Sequence, residues 1–121
     1  MPTSKLTLYG IPNCNQVKQA RDWLAQQQIE YTFHDYKKLG VPQERLHAWI
    51  KTAGLEKILN RKGTTWRTLS AAEQTQCETA SGAIPLLQEK TSLIKRPIIE
   101  NTPHTILCIG FDASEYLLKF A

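Results

Sequence analysis

Cys14 stands where the alternating run Leu6-Thr7-Leu8-Tyr9 breaks at Gly10-Ile11-Pro12-Asn13 and a segment of helical periodicity begins. A thiol at the start of a helix faces backbone N–H groups without partners inside the helix, and the positive end of the helix dipole. Both favour thiolate over thiol. The chemistry this suits is nucleophilic attack by sulfur on a disulfide or another electrophile. The other two cysteines lack that setting. Cys108, in the apolar run Ile106-Leu107-Cys108-Ile109, reads as a core residue. Cys77 has mainly polar neighbours and reads as an exposed spectator with nothing to lower its pKa.

Three cysteines at wide spacing describe neither a disulfide framework nor paired zinc ligands. Cys14-Asn15-Gln16-Val17 has no second cysteine of a CxxC pair, so a resolving thiol must come from another molecule, or from Cys77 or Cys108 brought near by folding. His34, His47 and His104 lack HExxH spacing, and no metal is expected. Two basic stretches are candidates for holding an anion. Asn60-Arg61-Lys62-Gly63-Thr64-Thr65-Trp66-Arg67 combines guanidinium, hydroxyl and glycine, and Arg61, Thr64, Thr65 and Arg67 could bind an oxyanion or carboxylate. Arg96 precedes Pro97; in a thioredoxin-like fold the strand after the crossover begins at a proline that is often cis and lies beside the catalytic cysteine, so Pro97 is expected to be cis and Arg96 to sit over Cys14.

The elements that must position these groups follow from periodicity. A strand is expected over 5–9. A helix from Cys14 to about Gln28 carries Val17, Ala20 and Leu24 on its inner face, and a second strand includes Tyr31 and Phe33, a β-α-β start with a parallel crossover. Pro42 suits the first position of a helix with the apolar stripe Leu46, Trp49, Ile50 and Ala53, ended by Gly54, and 55–59 could add one turn. Ser70 and Glu73 form a capping-box signature before a helix expected to end near Ser81-Gly82, and Pro85 is expected to begin another. Strands return at 98–100 and 105–109, joined by a short turn, and Asp112 with Glu115 caps a final helix. The order predicts one α/β domain over 1–121 with a thioredoxin-like, glutaredoxin-type mixed sheet, and a helical insertion at about 38–92 between the βαβ and ββα halves.

Composition fits that outline. The 121 residues are 41% hydrophobic and 21% charged, near the soluble globular average. The start lacks a basic region followed by an apolar run, and no stretch approaches the roughly 20 apolar residues a bilayer span needs. A cytoplasmic protein away from membranes is expected. The net charge of +4 is spread along the chain, which favours a local anion pocket over a nucleic-acid surface.

Tyr9-Gly10-Ile11-Pro12-Asn13-Cys14, Leu59-Asn60-Arg61-Lys62-Gly63-Thr64-Thr65-Trp66-Arg67 and Ile94-Lys95-Arg96-Pro97-Ile98-Ile99 together resemble the family that joins glutaredoxin-linked arsenate reductases with the Spx regulators, nearest its YffB-like branch. The resemblance runs from about residue 5 to 120. It implies a thioredoxin-like sheet, a nucleophile at Cys14 and anion-binding arginines at Arg61 and Arg96. Two positions depart from the arsenate reductase pattern: Gly10 stands in place of a histidine and Ile109 in place of a third arginine. Two arginines suit a glutathione carboxylate better than a doubly charged tetrahedral oxyanion. The expected function is a glutathione-dependent thiol–disulfide reductase with a single nucleophilic cysteine. Glutathione is its co-substrate, no cofactor is bound, glutaredoxin is a possible partner, and the substrate is a small oxyanion or a disulfide. The alternatives are arsenate reduction proper and a non-catalytic Spx-like regulator that binds RNA polymerase.

Overall fold

The computed structural model describes residues 6–101 and 105–120. The first residue of the strand expected over 5–9, the link at 102–104 and His104 lie outside them. In chain order the elements are β1 (Leu6–Gly10), α1 (Asn15–Gln26), β2 (Thr32–Asp35), α2 (Tyr36–Leu39), α3 (Gln43–Ala53), α4 (Leu55–Ile58), α5 (Thr64–Thr68), α6 (Ala71–Gln76), α7 (Ala80–Glu89), a 3-10 turn (Thr91–Leu93), β3 (Ile98–Asn101), β4 (Thr105–Ile109) and α8 (Ala113–Phe120). They fall into two compact units, Met1–Leu39 with Arg96–Ala121, and Gly40–Lys95.

The first unit is built on a four-stranded mixed sheet in the order β2-β1-β3-β4, the thioredoxin-like α/β arrangement. β1 pairs parallel with β2, which requires a crossover, and α1 supplies it. β1 pairs antiparallel with β3, and β3 with β4. Leu8 lies opposite Ile99 in the β1–β3 register, so both project to one face. There they meet Val17, Ala20 and Leu24 of α1, Cys108 of β4 and Tyr116 of α8 in one buried cluster. The i, i+3, i+7 spacing of Val17, Ala20 and Leu24 is the reason α1 lies on the sheet: it is the spacing that makes one helix face apolar. Around Tyr116 the rings of Phe111 and Trp23 stand edge-on, with centroids at 4.9 and 5.5 Å. The opposite face carries a polar pair: the Tyr9 hydroxyl donates to Glu100 Oε1 at 2.9 Å, and both residues are buried.

The second unit is helical. Leu46 and Trp49 of α3 are fully buried, as are Ile58, Leu87, Leu93 and Ile94. Gly54 ends α3 and Leu55–Ile58 adds the expected turn. A single antiparallel bridge joins Leu59 to Ile94. The Ser70–Glu73 capping box forms with both of its hydrogen bonds. Two expectations are corrected. The helix that Ser70 begins stops at Gln76, and a second starts at Ala80, where the Thr79 side chain accepts from the Gly82 N–H; Pro85 therefore lies inside α7 instead of opening a helix. The Thr79 cap, not the proline, sets that start. The basic stretch after Asn60 is also more ordered than a loop, since Thr64, Thr65, Trp66 and Arg67 form the helical turn α5.

Candidate active site

β1 ends at Gly10, and after three residues Cys14 takes the N-cap of α1 with extended backbone angles, φ −111° and ψ 130°. The neutral thiol makes no capping hydrogen bond. The anion is a different acceptor. Partial burial pushes the Cys14 thiol upward, but the Val17 N–H, the Arg96 side chain and the Gln16 N–H all favour the thiolate, and the net result is a pKa below the ordinary value. The first turn, Asn15-Gln16-Val17-Lys18, carries no acidic side chain to compete for those amides. Arg96 reaches Cys14 from the start of β3, and the Arg96–Pro97 peptide is cis.

The Gly10 position has its own physical cause. A Cβ built on Gly10 would come 2.7 Å from Val17 Cγ2, closer than van der Waals contact permits. Val17 is completely buried and is the residue at which a CxxC motif would place its second cysteine. One contact thus ties the departure at Gly10 to the missing second thiol: the valine that stands in its place fills the space that a side chain at residue 10 would need. Ile109, the other departure, pairs with Ile98 across β3 and β4.

Behind Arg96 lies a buried polar group that periodicity did not announce. Tyr36 opens α2, and burial pushes its phenol well above the ordinary value, opposed by the positive charge of Arg96 and reinforced by Tyr9 and Glu100. The Tyr9 ring is 4.7 Å from His34 and 6.4 Å from Tyr36. The signal available in the sequence was Glu100 itself, an acid within the apolar strand Ile98-Ile99-Glu100.

Arg61, Thr64, Thr65 and Arg67 belong to the second unit. Arg61 Nη2 pairs with Glu56 Oε2 at 2.6 Å and its guanidinium lies 4.8 Å from the Trp66 ring centroid. Lys62 N–H donates to Asn60 Oδ1, a local turn closed by its own side chain. Cys77 corrects the expectation of an exposed thiol: it is fully buried at the C-cap of α6, and burial, with Arg61 opposing, raises its pKa. Cys108 is buried as its apolar run predicts, and burial, with Glu115 adding to it, pushes its thiol up to about 12. Among the described residues no group of three or more His, Cys, Asp or Glu is arranged to hold a metal ion, and no helix is long and apolar enough to cross a membrane.

A model of the ArsC family matches residues 9–118. The solved structure of the protein named YFFB (PA3664) is 38% identical, with a TM-score of 0.87, covering 96% of this chain and 99% of that one. The solution structure of an arsenate reductase (ArsC) related protein from Brucella melitensis is also 38% identical, with a TM-score of 0.74 and coverage of 99% and 98%. The global transcriptional regulator Spx of Streptococcus pyogenes is 25% identical over 112 residues, 91% of this chain and 81% of that protein.

Proposed function

The chain belongs to the ArsC family as an arsenate reductase-like protein, and from that premise we propose that it is a glutathione-dependent thiol–disulfide reductase working through Cys14 alone. The observation that supports this reading is the Cys14 thiol at the start of α1, its pKa held down against burial by the Val17 N–H, the Arg96 side chain and the Gln16 N–H. The thiolate attacks a glutathionylated disulfide, R–S–S–G. As a bond forms between the Cys14 sulfur and the glutathione sulfur, the S–S bond of R–S–S–G breaks, and RS⁻ leaves with the electron pair and takes a proton from solvent. A glutathione thiolate then attacks the mixed disulfide, releases the Cys14 thiolate and departs as oxidised glutathione. The substrate gains two electrons, and two glutathione sulfurs become one disulfide. Arg96 holds a carboxylate of the tripeptide. Cys77 and Cys108 are poor resolving groups in this scheme, because burial keeps both thiols protonated. The cytoplasm, where glutathione is kept reduced, is the proposed compartment.

The test is mass spectrometry of peptides after incubation with oxidised glutathione. The expected product is a mixed disulfide at Cys14 and at neither of the other cysteines, with weak or absent arsenate turnover coupled to glutaredoxin. An adduct confined to Cys77 or Cys108, or robust arsenate reduction, overturns the reading. Similarity to Spx favours a second reading, in which the fold binds RNA polymerase without turnover. Polymerase binding that survives Cys14→Ser, in a protein that forms no glutathione adduct, would select it.

A further inference from the structure

The thiolate of Cys14 draws on groups from two stretches of chain, the first turn of α1 and the start of β3, and one turn is bonded to both. Gly110 N–H donates to the Pro97 carbonyl at 2.7 Å, one residue beyond Arg96. Phe111 N–H donates to Gln16 Oε1 at 3.2 Å, two residues beyond Cys14. The turn is itself anchored, because the Tyr116 hydroxyl, on a fully buried ring, donates to the Gly110 carbonyl at 2.7 Å. Gly110 adopts φ +80°, a conformation that side-chain-bearing residues rarely take, and this allows consecutive N–H groups, those of Gly110 and Phe111, to serve different partners.

We infer that Gln16 is a positioning residue for the Cys14 thiolate: its side-chain amide clamps the first turn of α1 to the Gly110–Phe111 turn, which also carries Pro97 and, through it, Arg96. Gln16 acts on the sulfur in two ways. Its own backbone N–H is one of the thiolate's donors, and its side chain fixes the turn in which that N–H and the Val17 N–H are presented. Electrostatic stabilisation depends on donors already aimed at the charge, so loosening the clamp should weaken the thiolate without removing any donor. The Gln16 side chain is exposed, so its loss opens no cavity. The inference rests on the reading of Cys14 as an activated thiolate.

The experiment compares unmodified protein with Gln16→Met, which keeps the length of the side chain and removes the oxygen acceptor. It records the pH dependence of iodoacetamide reaction at Cys14 and the hydrogen exchange of the Phe111 amide. A midpoint in the unmodified protein at or above the free-thiol value of about 8.5 defeats the activated-thiolate reading itself. Given a lowered midpoint, Gln16→Met should raise it by roughly half a pH unit, about a threefold loss of thiolate below the midpoint, and should speed Phe111 exchange. An unchanged midpoint overturns the clamp, whether or not exchange changes. A raised midpoint with Phe111 exchange unchanged overturns it too, since the effect would not pass through the turn. Tyr116→Phe supplies a second approach from the other side of the turn. It should move the midpoint in the same direction, and the double variant should fall short of the sum of the two shifts, whereas full additivity counts against a shared turn.

Discussion

α1 and α6 begin in opposite ways. At α6 the Ser70 hydroxyl accepts from the Glu73 N–H at 3.1 Å and the Glu73 carboxylate accepts from the Ser70 N–H at 3.0 Å, so oxygen acceptors within the same stretch occupy two donors. Thr79 caps α7 and Asp112 caps α8 with oxygen in the same manner. At α1 the cap is a cysteine whose neutral thiol takes none of the donors, and the first turn has no carboxylate. These oxygen caps, like the Asp35 carboxylate that accepts from the Lys37 N–H at the start of α2, stabilise their helices in place. The start of α1 leaves its amides for a charge that appears when Cys14 loses its proton. α3, α4 and α5 also begin without a side-chain cap, so what sets α1 apart is not the missing cap but the thiol that stands there and the Arg96 side chain that reaches it.

Cys14→Ser breaks the contrast most completely, because it turns the α1 start into the α6 kind. Glutathione adduct formation should vanish by mass spectrometry, while the serine oxygen should leave stability unchanged or raise it by up to about 1 kcal/mol near pH 6 in urea unfolding. The pH dependence supplies the sign. The folded-state pKa of Cys14 is lowered, so the unmodified protein gains stability as pH rises through that value towards the unfolded thiol value of about 8.5, and loses it as pH falls back through the folded value. The serine variant should lack that slope. Opposed to it in both proteins, Cys108 costs stability from about pH 8.5 up to about 12, since unfolding frees a thiol that burial keeps protonated.

Arg96→Ala sharpens the comparison by leaving the amides in place and removing the side-chain charge. Loss of one charge-assisted hydrogen bond, about 1.5 to 3 kcal/mol, should slow adduct formation by roughly 10- to 150-fold and raise the midpoint of Cys14 alkylation. Arg61→Ala, in the second unit, measures whether the anion is also held from there. Arg61 is already engaged by Glu56, and an unchanged rate would leave it out of the site. Lys119→Ala on α8 should change the rate little, and rates indifferent to both arginine changes would remove the anion pocket. The smallest effect belongs to the structural cap. Ser70→Ala should cost about 1 kcal/mol in urea unfolding and leave the Cys14 alkylation midpoint where it was. A shift of that midpoint would mean that the two helix starts are not independent.

What the sequence determined by itself is what short stretches decide among their own residues. The 3.6-residue spacing of Val17, Ala20 and Leu24, the alternation in β1, the position of Cys14 at the head of α1, and the Ser70–Glu73 and Asp112–Glu115 caps depend on neighbours at most a few residues apart. Tertiary structure decided the rest. Cys77 sits among polar residues along the chain yet is fully buried, because the polarity of a stretch does not say which side of a short helix turns inward. The breaker pattern at Pro85 gave way to a cap six residues earlier, at Thr79. Gly10 against Val17, Tyr9 on Glu100 and Gln16 on Phe111 could not be read, the last two joining residues 91 and 95 positions apart. The last two follow from the order β2-β1-β3-β4, which brings β3 from the far end of the chain beside β1, with β4 next to β3. α1 supplies the amides at the sulfur locally; the sheet, not any local period, brings the guanidinium to it.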